Sequence, residues 1–268
     1  MFSDFTIHNP KRDREARLEQ ASWYPYYAGF SPHFAYSLLA SSGLHRTACI
    51  VDPWNGSGTT TAAAATLGYR TYGYDLNPVM VIVAKARLFS QREKSYLWAI
   101  TAAILQASKD HNTAVIVEDD PLCTWLVPRS VIGIRQLERA LRHLLANNVT
   151  PSELGVCSDI SQLSPLAAFF YTALFRTARV VLKPFYASNP TWMKIPHDKD
   201  ARLHPPLETL LNIFQQEVKS MIAAISCDPF DTSDIDSEAH VAVASSDALP
   251  FSTGQFLTSK SRYRKLQE

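Results

Sequence analysis

The sequence predicts an α/β protein with a parallel sheet near its front and a largely helical middle. Two short apolar runs, residues 48–51 and 71–74, are each followed by a segment of helical composition. A helix between two such strands brings them side by side and parallel. From about residue 90 to residue 235, helical periodicity replaces this alternation. The order of the elements therefore favours a sheet that a long helical segment interrupts.

The predicted elements of the front part follow one another closely. Ser31 stands at the cap position of the first helix, and Pro32 at its first helical position. The expected order is helix 33–44, strand 48–51, helix 59–67, strand 71–74 and helix 78–88.

The middle of the chain predicts four helices, and prolines separate them. They are expected at residues 95–107, 131–145, 163–182 and 207–225. An apolar run at 114–117 is a candidate strand, and the alternation at 240–244 predicts the third strand of the sheet. We expect a solvated arm at 1–22, a ligand-binding core at 23–90, a helical insertion for substrate recognition at 91–236, the returning core at 237–256 and a polar, basic tail at 257–268.

The composition excludes several classes of protein. With a net charge of +1 over 268 residues, the chain has no overall nucleic-acid signature, so a DNA surface would be a local patch. Four scattered cysteines and eight dispersed histidines lack metal-ligand spacing, and no signal peptide is visible, which predicts a cytoplasmic protein without metal. The longest apolar stretch, 163–182, contains Arg176 and Arg179, which favours a buried helix over a membrane span.

The residues best suited to bind a ligand follow the first two predicted strands. The loop 52–60 has glycines at 56 and 58, and the second strand ends on Asp75, nineteen residues after Gly56. Glycines allow the backbone to approach a ligand, and an acid after the second strand can bind a ribose diol. The loop lacks the third glycine of a dinucleotide site and the Gly-Lys-Ser/Thr of a P-loop. Asp52 at its mouth suits a cationic ligand, and S-adenosylmethionine (SAM) fits.

At these residues the chain resembles the amino-group DNA methyltransferases, which methylate adenine N6 or cytosine N4. Their cofactor loop reads D-P-F-x-G-S-G-T-T and their second strand ends on D-x-N-P; here Trp54 replaces the phenylalanine. The resemblance implies an incomplete Rossmann-like SAM methyltransferase sheet with a long, mainly helical insertion, SAM as cofactor, and DNA as partner in restriction–modification. It assigns cofactor binding to Asp52, Pro53, Trp54, Asn55, Gly56, Ser57, Gly58, Thr59, Thr60, Asp75 and Asn77.

The same resemblance extends to two further segments. Phe30 matches the aromatic residue of a Lys/Arg-Phe-x-Pro segment that closes over the cofactor, although Gly29 stands where a lysine is common. The alternative there is an aromatic packing cluster. Asp247 and Ala248 match the segment after the third strand whose acid meets the cofactor adenine.

The catalytic tetrad of this family, Asp/Asn/Ser-Pro-Pro-aromatic, has no perfect copy in the chain. The nearest is Asn189-Pro190-Thr191-Trp192, in which Asn189, Pro190 and Trp192 would hold the target amine and stack on the base. The tetrad normally follows the third-strand acid, whereas this one precedes Asp247. A turn within the insertion and a substrate-facing role therefore stay open as alternatives.

After residue 256 the chain becomes polar and basic where the family continues into a strand. We therefore expect a truncated or split member of the family, with a second polypeptide that supplies the missing catalytic strands. The predicted function is a SAM-dependent methyltransferase-like protein acting on exocyclic amino groups of DNA bases. Whether this chain is active without a second polypeptide is left open. Two alternatives also stay open: a non-catalytic binding scaffold, and a methyltransferase for RNA or protein.

Overall fold

The computed structural model describes residues 7–11, 23–25, 29–109, 117, 119–146, 157–187, 192–227 and 238–247, without the side chains of 157–159 and 226–227. In the front part, helices and strands alternate as predicted. Their bounds are α1 Pro32–Ser41, β1 Cys49–Asp52, α2 Thr59–Thr66, β2 Arg70–Asp75 and α3 Pro78–Ala86. Ser31 is the N-cap residue of α1, but its side chain makes no capping hydrogen bond.

The rest of the described chain is helical until a third strand. The longer helices are α4 Leu97–Ala107, α5 Pro128–Leu145, α6 Cys157–Gln162, α7 Pro165–Val181 and α8 Leu207–Cys227, and the strand is β3 Ala239–Val243. Short 3-10 turns lie at Gln91–Tyr96, Pro121–Thr124 and Lys183–Phe185. The short α6 was not predicted. The candidate strand at 114–117 lies outside the described residues, apart from Val117.

The three strands form one parallel sheet in the order β1-β2-β3. Thr71 pairs with Ala239 and Asp75 with Val243, so β3 adds to β2 although the helical segment separates them in sequence. This confirms an α/β chain with a small parallel sheet and many helices, which is compatible with part of a Rossmann-like fold. All three strands end at the same edge, here called the carboxyl edge, where such sheets bind ligands.

Helix α7 is the centre of the helical region. It packs along α3 and α8, and its Phe169 and Phe170 are fully buried. Each such phenylalanine contributes about 2 kcal/mol through the apolar surface removed from water. The buried core is continuous from Val81 of α3 through α7 to Val241 of β3. The segment 91–236 therefore shares the core of the sheet, and the predicted domain boundaries stay predictions.

Helix α7 begins near the end of α3. Lys85, near the end of α3, donates hydrogen bonds from Nζ to the carbonyl oxygens of Ser161 (2.8 Å) and Leu163 (3.2 Å), immediately before α7 begins. Because α7 then packs along α3, it runs back towards the start of α3.

The segment 23–25 anchors the front of the chain to this helical region. Trp23 is buried, packs edge-on against Phe169 with ring centroids 5.3 Å apart, and donates from Nε1 to the carbonyl of Met221. Arg176 of α7 donates to the carbonyl of Trp23 (2.6 Å) and forms an ion pair with Glu217 of α8. Trp23 thus belongs to a packing cluster that joins the front of the chain to α7 and α8.

In the part of the chain that the structure describes, no helix is long and apolar enough to cross a membrane. A cytoplasmic location stays a prediction of the sequence.

Burial lowers the pKa of Lys85 from 10.5 to about 8. Below pH 8 the amine is charged in both the folded and unfolded chain, so folding includes the full desolvation cost. Between pH 8 and 10.5 only the unfolded chain keeps the proton, so the folded state gains stability as pH rises. Relative to Lys85→Met, the free energy of unfolding should gain roughly 2 to 3 kcal/mol between about pH 7 and about pH 10.

Urea unfolding of the unaltered protein and of Lys85→Met at the two pH values measures this difference. Tyrosines also titrate near pH 10, but they are present in both proteins and their effect cancels in the comparison. Equal pH dependence of the two proteins would contradict the assignment.

Candidate functional site

The loop between β1 and α2 is held to the end of β2 by backbone bonds. Asn55 N donates to the carbonyl oxygen of Tyr74 (2.9 Å), and Gly58 N donates to that of Asn55 (2.8 Å). Gly56 and Gly58 have φ angles of 49° and 81°, which side chains disfavour but glycine adopts freely. The loop therefore turns tightly over the carboxyl edge, as its two glycines predict.

Asp75 connects this loop with the end of the second strand. Its Oδ2 accepts a hydrogen bond from Gly56 N (2.8 Å), and its Oδ1 accepts one from Asn77 N (2.8 Å). A carboxylate has about four acceptor positions, so these two bonds leave capacity for further donors. Asn77 in turn caps α3, since its Oδ1 accepts from Val79 N. The sequence had predicted that Asp75 lies at the site, but not that it bonds to the loop.

Asn55 fills the space beneath the loop. Its side chain is buried, and its Oδ1 accepts from Thr61 Oγ1 (3.1 Å). A Cβ at Gly73 would lie 2.5 Å from both Cγ and Nδ2 of Asn55, closer than real Cβ atoms approach. Gly73 of β2 is therefore required for the loop to lie this low. Asn55 supports the loop from below and does not face the open edge.

Ser57 and Asn55 each have a buried polar atom without a hydrogen-bond partner among the described residues, Ser57 Oγ and Asn55 Nδ2. Ser57 is 2% exposed, and no described group forms a hydrogen bond with its Oγ. A buried hydroxyl without a partner costs free energy, so such a group is uncommon unless something binds it. At the front of this loop, it is a candidate ligand contact.

The side chains above the loop differ in exposure. Asp52 is half-buried, and its Oδ1 accepts from Trp54 N (3.1 Å). Trp54 is 77% exposed and Leu76, next to Asp75, is 70% exposed. The ends of β1 and β2 thus each combine a carboxylate with a large apolar side chain that is exposed to solvent. Thr59 of α2 accepts from Nη1 of Arg87, a buried residue that no sequence signal had indicated.

The third strand adds an acid at the same edge. Ala244 N donates to the carbonyl oxygen of Asp75 (3.2 Å), which holds the segment after β3 beside Asp75. Three residues on, Asp247 is exposed and accepts a hydrogen bond from Ser245 Oγ. The structure therefore brings Asp247 to the edge that carries Asp52 and Asp75. Ala248 lies outside the described residues.

The remaining predicted site residues lie elsewhere or outside the described part. Phe30 precedes α1, is 37% exposed and packs edge-on against Phe34, with ring centroids 5.6 Å apart. Asn189 and Pro190 lie outside the described residues. Trp192 is 70% exposed beyond the end of α7, where its carbonyl accepts from Ala187 N (2.9 Å). Nothing in this geometry tests the catalytic assignment, which stays a prediction.

The charges at this edge make a site for a cation or for hydroxyl groups rather than for a phosphate, because like charges repel. Among the described residues, no group of three or more histidine, cysteine or acidic side chains is arranged to hold a metal ion. The site combines a glycine loop, acids at the ends of three parallel strands and one unpartnered hydroxyl. Such an arrangement can hold a polar, partly cationic nucleoside.

Comparison with known proteins points in the same direction. The chain is 35% identical over 68 residues to the type II methyltransferase M.BsoBI of Geobacillus stearothermophilus. This segment is 25% of the present chain and spans 13% of the length of that relative. No family model matches the chain, and no solved structure matches it. The similarity supports a methyltransferase-like protein at most, and leaves the target base open.

The close approach of the loop to α3 can be tested with two glycines of the same backbone type. A Cβ at Gly58 would lie 2.6 Å from Ala84 Cβ, whereas one at Gly43, which also has a positive φ, would meet nothing within 4 Å. Gly43→Ala should cost about 1 kcal/mol of unfolding free energy from left-handed strain alone. Gly58→Ala should cost a further 1 to 3 kcal/mol, roughly, from overpacking.

Urea unfolding of the two variants measures this contrast. Equal destabilisation would mean that the loop does not lie against α3 as described.

Proposed function

We propose that this chain is a SAM-binding, methyltransferase-like protein whose substrate is the exocyclic amino group of a DNA base, adenine N6 or cytosine N4. The observation that carries the proposal is the bond between Gly56 N and Asp75 Oδ2, which unites the glycine loop and the second-strand acid in one site. The similarity to a type II methyltransferase supports it independently. The site itself does not distinguish the two bases.

The residues present fit SAM. The unpartnered Ser57 Oγ can bond a polar group of the cofactor, and Asp75 has spare acceptor capacity for a ribose diol. Leu76 offers an apolar surface for a purine ring, and Asp247 is placed at the same edge to accept from an exocyclic amine. Asp52 adds negative charge that favours a cationic ligand. When bound, SAM supplies a methyl group activated by its sulfonium.

The chain's own contribution to transfer would be to orient the methyl donor and to hold the target amine. The amine needs an acceptor and a stacking ring, and we assign these roles to Asn189, Pro190 and Trp192, on sequence alone. Incubation with methyl-labelled SAM and separate DNA, RNA and protein substrates tests the activity. Labelling of RNA or protein but not DNA would overturn the DNA assignment.

Cofactor binding can be tested with two matched carboxylates. Asp75 accepts two backbone N–H bonds at the site, and Asp198 accepts two, from Asp200 and Ala201, in the segment between α7 and α8. Asp75→Asn should weaken SAM binding about tenfold or more in calorimetry, because an amide cannot accept at both positions as a carboxylate does. Asp198→Asn should leave binding unchanged. Failure of the unaltered protein to bind SAM would refute the proposal.

Ser57→Ala gives a second, independent test. Since no described group bonds to Ser57 Oγ, removing the hydroxyl should leave the free energy of unfolding unchanged or higher by about 1 kcal/mol. Its affinity for SAM should nevertheless fall several-fold. The control is Thr61→Val, which removes the bond to Asn55 and should lower stability. Undiminished SAM binding by Ser57→Ala would exclude that contact.

A further inference from the structure

The helical region has a groove that the sheet-edge site does not use. It has a volume of about 840 Å³ and lies between the end of α7, the start of α8 and the segment that joins them. Its apolar floor includes Val181, Leu203, Pro205 and Ile213. This volume lies within the range of cavities that bind organic ligands.

The permanently charged groups of the groove are both positive. Lys183 and Arg202 line it together with His204, and none of the described lining residues is acidic. Lysine and arginine side chains are positive at neutral pH, so the groove favours an anion. Its apolar floor suits flat, weakly polar groups on the same ligand. An open groove with a basic rim and an apolar floor matches a strand that carries alternating phosphates and bases.

The surroundings of the groove are held rigidly. Leu203 N donates to the carbonyl of Trp125 (2.9 Å), and the carbonyl of Leu203 accepts from Val127 N (2.9 Å). Ser130 Oγ donates to the carbonyl of Pro205 (2.8 Å), and Arg202 Nη1 donates to the carbonyl of Cys123. These bonds fix the segment 202–205 against the beginning of α5. A preformed surface of this kind needs little ordering when it binds.

Exposed aromatic and apolar groups lie beside the segment that follows α7, where Lys194 N donates to the carbonyl of Phe185 (2.7 Å). Trp192 is 70% exposed and Ile195 is 72% exposed, and Trp125 Nε1 bonds to the carbonyl of Lys194 between them. Nearby, the guanidinium of Arg179 lies 4.9 Å from the ring centroid of Tyr186. Exposed aromatic rings next to cationic side chains are typical of surfaces on which unstacked bases bind.

We propose that this groove binds an unpaired segment of a DNA strand, with the phosphates at Lys183, Arg202 and His204 and the bases over the apolar floor. The proposal rests on the proposed function for the nature of the substrate, and it adds where that substrate is held. A methyltransferase that acts on an exposed base requires such contacts, because the base must leave its stack before the methyl donor can reach it.

The test is fluorescence anisotropy of the full chain with a labelled single strand of about 12 nucleotides at low salt. Lys183→Glu should weaken binding about tenfold, since it repels a phosphate, and should reduce the slope of log affinity against log salt by about 0.7 or more. The matched control is Lys219→Glu on the exposed side of α8, which should change affinity less than twofold, roughly. Equal effects of the two charge reversals would overturn the proposal.

Val180→Trp tests the groove itself without a change of charge. Val180 lines the groove and is 43% exposed, so a larger side chain fills space and leaves the core intact. The variant should weaken binding of the strand about fivefold or more, roughly the loss of one stacked base. Undiminished binding by Val180→Trp would show that only the basic rim matters, and would overturn occupancy of the groove.

Three further measurements separate the possible outcomes. A DNA strand and an RNA strand of the same sequence are compared, and binding of the RNA strand alone would overturn the proposal. An oligoglutamate peptide that competes as well as the oligonucleotide would overturn the nucleic-acid assignment. Calorimetry with SAM on Lys183→Glu should show unchanged cofactor affinity. In the unaltered protein, SAM binding without strand binding refutes the groove alone, whereas strand binding without SAM binding refutes the proposed function alone.

Discussion

The hydrogen bond from Gly56 N to the carboxylate of Asp75 is the interaction on which the site depends. It joins the glycine loop of β1 to the end of β2, and the second oxygen of Asp75 fixes the beginning of α3 through Asn77. Gly73 makes this possible because a side chain there would collide with Asn55 beneath the loop. One carboxylate thus positions the loop, the strand end and the next helix, while it retains acceptor capacity for a ligand.

The helical region packs against the sheet and shares one buried core with it. Trp23 and Arg176 connect the front of the chain to α7 and α8, and α7 shares its buried core with α3 and β3. At the end of α7, this helical region carries a basic, apolar groove. A substrate held there and a methyl donor held at the loop would be oriented by one continuous core.

The sequence predicted the strands, most helices and the residues of the loop, because alternation of apolar runs and the spacing of glycines and acids depend on local physics. It could not predict that Trp23 is buried against Phe169. An aromatic segment that covers a ligand and one that packs into a core can have the same sequence pattern. Nor could it predict α6 or the buried Arg87–Thr59 bond, which depend on long-range packing. From the sequence, the prolines of the segment 202–206 predicted only a separation between two helices. The hydrogen bonds of this segment to the beginning of α5 show that it forms one wall of the groove.

The central claim is that the loop and Asp75 form a single SAM site. The most direct test is a titration of isotope-labelled protein with SAM, followed through the backbone amide resonances. Saturable shifts concentrated at Gly56, Ser57 and Asn77, whose amides lie at the loop and beside the Asp75 carboxylate, are the result expected here. Saturable shifts confined to other parts of the chain, with these three amides unmoved, would contradict it.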